Sequence, residues 1–211
     1  MANGGRIGGR NVPGIDGYSG IWTPNEIADA RRAGVKFPIW TSDGSSLTGW
    51  TVTGATVDGT LGDPAPSLKA ANGQYAYIAP VSGLIGKSIL ARIRIASGSP
   101  ALCNLFFGCN ASGAGRMLRL DTRGGGDSCG IATTSSWTSF SGPGATGIVV
   151  SADTWYSIRI DIKPGPVADW SLDGALKQVN VPIAVSGDYI AVHGNVGGGT
   201  SGNFDNLQIL A

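Results

Sequence analysis

Gly126-Asp127-Ser128-Cys129-Gly130 has the G-x-S-x-G spacing of a serine nucleophile. A hydrolase built on it would need Ser128, an aspartate and the single histidine of the chain, His193, as a triad. A nucleophile elbow requires a strand that turns into a helix, whereas Ile131-Ala132-Thr133-Thr134-Ser135-Ser136 is β-branched and Ser-rich and reads as strand or loop. A glycine-rich turn accounts for the motif better. Gly197-Gly198-Gly199-Thr200-Ser201-Gly202 formally fits G-x-G-x-x-G, yet Asn203 to Leu210 follows as a terminal strand, not as the helix a dinucleotide site must open. Glycoside hydrolysis usually needs two carboxylates across a cleft. Glu26 is the only glutamate, and the 13 remaining acids, all Asp, form no close cluster with flanking aromatics. No catalytic residue is expected, and the chain reads as a non-enzyme.

One histidine and three scattered cysteines cannot supply the ligands of a transition metal. Cys103, Cys109 and Cys129 are odd in number, and read as small buried hydrophobes of a reducing compartment. Calcium stays open: Asp173, Asp188 and Asp205, with Asn206, offer hard oxygen donors near turns, although Asp and Asn occupy strand ends for turn reasons alone. No other cofactor is expected. Of six tryptophans, Trp155 shares its strand phase with Arg159 and Asp161 on the less apolar face, and Trp137 stands among small polar residues. Trp137, Trp155 and Arg159 are therefore the candidate glycan contacts, with core or interface packing as the competing fate of the rings.

The elements that must position these groups are strands. Of 211 residues 35 are glycine, and only 14% are charged against a usual figure of about 25%. Such a composition argues against a helical protein, and 42% hydrophobic residues argue against disorder. A net charge of +1 without a Lys/Arg run excludes a nucleic-acid stripe, and no apolar stretch approaches the roughly 18 residues of a membrane span. Met1 to Arg6 has no signal-peptide core, so synthesis in a cytoplasm is expected. Odd positions of Ser88–Ile95 are apolar while Arg92 and Arg94 face the other way, and Tyr156, Ile158, Ile160 and Ile162 repeat the alternation. Asp173-Gly174 between apolar-bearing runs is a strong hairpin signal. Further strands are expected at 51–57, 74–79, 102–108, 116–121, 131–134, 147–151, 177–185, 189–193 and 204–210. About a dozen short strands without an interleaved helix predict an all-β fold, an antiparallel jelly-roll sandwich.

The first forty residues differ. Residues 1–18 read as an extended Gly-rich arm; Thr23, Pro24 and Glu26 then form a helix start and Gly34 the stop of a short helix over 24–33. Such a helix is too short to stand alone and must dock. The expected division is an arm and helix over 1–40, followed by a sandwich over 41–211. Arg10, Val12, Pro13, Tyr18, Ile21, Trp22, Phe37 and Trp40 are the candidate anchoring residues.

Ile7-Gly8-Gly9-Arg10-Asn11-Val12-Pro13, with Ser19-Gly20-Ile21-Trp22-Thr23, Glu26, Ala30 and Pro38, resembles the N-terminal segment of tailed-bacteriophage virion structural proteins of the tail-fibre or minor structural type. Phe37-Pro38 stands where Trp-Pro is more usual. Trp155 to Arg159, Trp170 to Gly174 and Phe204 to Ile209 resemble late strands of the concanavalin A-like (laminin G-like) jelly roll. The glutamate-containing strand motif of hydrolytic members is absent. The resemblance implies a structural protein of the virion. Its arm would bind other virion proteins or itself, as a homo-oligomer and by expectation a trimer, and its jelly roll would be displayed outward toward host surface glycans as tail fibre, collar or capsid decoration. The alternative from a different class is a free, lectin-like carbohydrate-binding module.

Overall fold

The computed structural model describes residues 36–98, 101–122, 129–195 and 200–211, together with 7–8, 21–22, 32 and 34. The strands are β1 (Ile7–Gly8), β2 (Ile21–Trp22), β3 (Pro38–Ser42), β4 (Thr51–Thr53), β5 (Thr56–Asp58), β6 (Ser67–Ala70), β7 (Tyr75–Ile78), β8 (Ser88–Ile95), β9 (Leu102–Cys109), β10 (Gly115–Asp121), β11 (Gly130–Ser136), β12 (Ser139–Phe140), β13 (Trp155–Lys163), β14 (Val167–Leu172), β15 (Ala175–Pro182), β16 (Tyr189–Gly194) and β17 (Gly202–Leu210). Two antiparallel sheets form a jelly-roll sandwich. One has seven strands in the order β12-β11-β10-β9-β16-β7-β4; the other has eight, seven in the order β15-β14-β13-β8-β17-β6-β5 and β3 paired with β17 beside that path.

The alternation in β8 and β13 sorts the faces as the sequence implies. Ile89, Ile93, Ile95, Ile158, Ile160 and Ile162 point into the core, while Arg92, Arg94, Trp155, Ser157, Arg159 and Asp161 lie on the outer face of the eight-stranded sheet. Opposite them, Cys103, Leu105, Phe107, Leu118, Leu120, Ile190 and Val192 project inward from the seven-stranded sheet and close the core. Trp170 is wholly buried and its Nε1 donates to Gln178 Oε1 at 2.6 Å, so the largest core side chain keeps its polar atom satisfied. The hairpin expected at Asp173-Gly174 joins β14 to β15, with φ of 48° and 77°, both positive as a type I′ turn requires.

Three expectations are corrected. Residues 147–151 form no strand. The stretch from Ser141 to Gly147 holds three glycines and a proline, and the chain touches the sheet only at isolated bonds, such as Cys129 N to Ile148 O at 2.8 Å. Second, 51–57 is two strands, because the chain breaks at Gly54, where φ is 74°. Third, the boundary expected between residues 40 and 41 falls inside β3. That strand pairs with β17 (Ile209 opposite Trp40), and Phe37 and Ala211 exchange both backbone hydrogen bonds at 3.1 Å. Lys36 extends the attachment, its Nζ donating to Gly86 O at 2.8 Å and Ser88 Oγ at 3.0 Å. Pro38 at the start of this strand and its five-residue length hide it in the sequence. The helix expected over 24–33 lies outside the described residues except for Arg32; Ile21 and Trp22 pair in β2 with β1.

Candidate functional site

β9 is buried along its whole length, on both faces. A strand in a two-layer sandwich is covered on one face by the opposite sheet, so something else covers the outer face of the seven-stranded sheet. That cover is a second apolar cluster of Phe106, Cys109, Met117, Ala132, Trp137 and Ala191, bordered by half-buried Tyr75, Tyr77, Phe140 and Tyr189.

Strand register builds it. Pairing of β7, β16, β9 and β10 sets Tyr75, His193, Asn104 and Arg119 in one row across the sheet, with Tyr77, Ala191, Phe106 and Met117 alongside on the same face. The β11–β12 turn then folds Trp137 back over the rings: it stacks on Tyr77 (4.6 Å between centroids, 17°) and Tyr75 (6.0 Å, 24°). The 110–113 turn seats it. Asn110 Oδ1 accepts from Ser112 N and Ala114 N, Trp137 Nε1 donates to Ala111 O at 3.1 Å, and Trp137 N donates to Ser112 O at 3.2 Å. Gly113, at φ 91°, is required there, because a Cβ would overlap the Trp137 backbone and ring.

Under this aromatic layer the row holds three polar side chains. His193 and Asn104 are fully buried and Arg119 is 7% exposed. The imidazole stacks on Tyr75 (5.5 Å, 10°), leans against Phe106 (4.9 Å) and meets the edge of Phe140 (5.5 Å, 89°). Burial pushes its pKa down to about 4, against the smaller opposing influence of the Trp137 and Gly194 backbone and with some help from the Arg119 charge. His193 is neutral at pH 7. Neither ring nitrogen, nor Asn104 Nδ2, makes a hydrogen bond of good geometry among the described residues; the Trp137 and Gly194 backbone groups reach the imidazole only as weak electrostatic neighbours. Arg119 Nε donates to Asn104 Oδ1 at 3.3 Å, and the guanidinium lies 5.5 Å from the Phe140 ring centre. Unsatisfied buried polar atoms cost about 1–3 kcal/mol each and call for an explanation.

The expected site residues scatter. Trp137 is 7% exposed and belongs to this layer. Trp155 and Arg159 lie on the other sheet, half-buried, and Arg159 Nε donates to Asp161 Oδ2 at 3.0 Å, so the three candidate glycan contacts do not form one surface. Ser128 lies outside the described residues, as do Arg10, Val12, Pro13 and Tyr18. Trp40, grouped with the anchoring residues, packs on the sandwich's own core beside Trp50 (6.2 Å), and Phe37 is half-buried at its edge.

The calcium candidates are also apart. Asp173 Oδ1 accepts from Ser157 N at 2.7 Å, tying the hairpin to β13. Asp205 accepts from Asp63 N (2.7 Å) and Asn206 N (2.6 Å), and burial raises its pKa. Asp188 precedes β16. Among the described residues no three His, Cys, Asp or Glu side chains gather as metal ligands. Cys103, Cys109 and Cys129 are free and buried, the thiols of Cys109 and Cys129 each pushed up to about 11 by burial.

Tyr75, Tyr77, Asn104, Phe106, Arg119, Phe140 and His193 were not singled out as a glycan surface from sequence. The signal that could have found them is the apolar run Leu102 to Phe107, too hydrophobic for a half-exposed strand and interrupted only by Asn104.

No family model and no curated protein matches the chain. Solved structures share its fold at low identity. The carbohydrate binding module CBM66 from Bacillus subtilis matches with a TM-score of 0.60 at 14% identity, over 77% of this chain and 96% of that one. The cellulose induced protein Cip1 matches with a TM-score of 0.58 at 15% identity, over 81% and 96%. A Bacillus subtilis protein of unknown function with a galectin-like fold matches with a TM-score of 0.51 at 11% identity, over 82% and 97%. The chain is similar to these in its jelly roll.

Proposed function

We propose that the protein is a non-enzymatic carbohydrate-binding jelly roll whose aromatic face on the seven-stranded sheet takes the sugar, and whose leader tethers it to a phage particle. The observation that carries the first half is the pairing of half-buried flat rings (Tyr75, Tyr77, Tyr189, Phe140) with buried polar atoms that lack partners (His193, Asn104). Sugars need both: C–H faces pack on aromatic rings while hydroxyls fix orientation through a few placed polar groups. The fold neighbours, one of them a carbohydrate binding module, support the same reading.

The second half rests on the leader residues and on one geometric point. The chain enters the sandwich through β3, in the eight-stranded sheet, whereas the aromatic face belongs to the other sheet. A glycan array followed by calorimetry tests the binding. Wild-type protein should retain a glycan, Tyr77→Ala should weaken it about tenfold or more, and Trp155→Ala on the opposite sheet should not. Equal binding by Tyr77→Ala, or no retained glycan, overturns the reading. Particles carrying protein that lacks residues 1–35 should lose it; continued incorporation removes the tether.

A further inference from the structure

We infer that His193 and Asn104 form a two-point receptor for a vicinal diol, held in register by Arg119 and roofed by Phe140. This rests on the carbohydrate reading above and names the chemical group the site selects.

His193 and Asn104 stand directly opposite one another in the β16–β9 pairing, where side chains on one face lie about 4.5–5.5 Å apart at Cβ. Both are fully buried and both carry unpartnered polar atoms. A neutral imidazole has one N–H and one lone pair, and the Asn104 amide nitrogen only donates. Arg119 Nε occupies Asn104 Oδ1, which fixes the amide and turns its NH2 away from the guanidinium. The site thus offers donors and one acceptor side by side, without a free carboxylate in the row. A carboxylate can accept from Asn104 but has no proton for the imidazole lone pair, and an ammonium can donate but not accept. Adjacent hydroxyls do both, one at each residue. Arg119 acts here as a positioning residue.

The roof is a weak element. Phe140 is half-buried on β12, a two-residue strand at the sheet edge whose pairing with β11 shifts register between Thr134 and Ser136. Its ring lies 5.5 Å from the imidazole at 89°, and under this proposal it is the side chain that a bound diol displaces.

Because His193 is the only histidine, 15N-histidine labelling gives one imidazole to observe in the intact protein. The probes are the methyl glycosides of glucose, galactose, mannose and fructose at millimolar concentration, with tryptophan fluorescence read in parallel. At least one glycoside should move both imidazole 15N resonances. Its deoxy analogues lacking either of two adjacent hydroxyls should bind about tenfold more weakly. Asn104→Asp, which keeps the Arg119 contact but removes the donor, should abolish the shift at an unchanged urea midpoint. Should that variant not fold, the wild-type spectra and the deoxy series decide alone. A glycoside that changes fluorescence while the imidazole stays fixed leaves the aromatic face as a sugar site and overturns the diol receptor. A glycoside whose affinity is indifferent to both deoxy changes also overturns it. If no glycoside moves either signal, the receptor and the carbohydrate reading fall together.

Discussion

Lowering the pH should destabilise this protein through His193 in a window where few other groups act. The imidazole is buried neutral with a pKa of about 4, against 6.5 ordinarily, so between these values the unfolded chain binds a proton that the folded one refuses. Stability therefore falls as pH drops from about 6.5 toward 4 and levels off below. At about 1.36 kcal/mol per pH unit, that interval corresponds to about 3 kcal/mol, a sizeable part of the 5–15 kcal/mol typical of a domain. Asp58 does not intrude. Its carboxylate accepts from Thr60 and Leu61 and is held well below 3.8, so its contribution disappears only at lower pH. Asp205 works the other way: burial raises its pKa, so its protonation favours the fold. Urea unfolding of wild type and His193→Gln at pH 7, 5.5 and 4.5 is the assay. The wild type should lose most of the 3 kcal/mol relative to the variant across the series. Parallel losses in the two proteins would refute the buried neutral imidazole.

Three further outcomes follow from the packing. Removing residues 1–35 should leave the urea midpoint of the sandwich nearly unchanged, whereas removing 1–42 should cost several kcal/mol, because it strips β3 from β17 and takes Trp40 from the core edge; equal midpoints for the two truncations contradict the boundary at Lys36. Gly113→Ala should unseat Trp137, costing about 1–3 kcal/mol and raising its exposure to acrylamide quenching; an unchanged emission spectrum and midpoint speak against the seat. Trp170→Ala should cost about 3–5 kcal/mol by opening a core cavity and stranding Gln178 Oε1, as read by thermal unfolding; a loss under 1 kcal/mol would show that the core closes over the gap.

The sandwich was legible where residue chemistry and strand period agree. Arg92 and Arg94 against Ile93 and Ile95, and Arg159 against Ile158 and Ile160, mark inside from outside without help from the rest of the chain. Asp173-Gly174 marks its own turn, since few dipeptides tolerate two positive φ values in succession. β6 was not legible, being only four residues long with Lys69 among them. The aromatic face was hidden for a different reason. Tyr75, His193, Asn104, Arg119 and Trp137 lie on four strands and a turn, and only the register of those strands makes them neighbours. Trp155 attracted notice because polar neighbours in sequence suggested exposure, but its row, paired with Arg94, lies on the opposite sheet from the rings. Local polarity tells which side of its own strand a residue occupies, not which of two outer faces that side becomes.

The doubled bond between Phe37 and Ala211 brings the point where the leader enters the sandwich next to the last residue of the chain. A fluorescent protein or surface linker fused after Ala211 would therefore emerge at the corner where Lys36 and Phe37 enter the sandwich. The same neighbourhood suits circular permutation: a short linker from Ala211 to Lys36, with new ends opened at Asp173-Gly174, would keep both sheets intact while freeing that corner altogether.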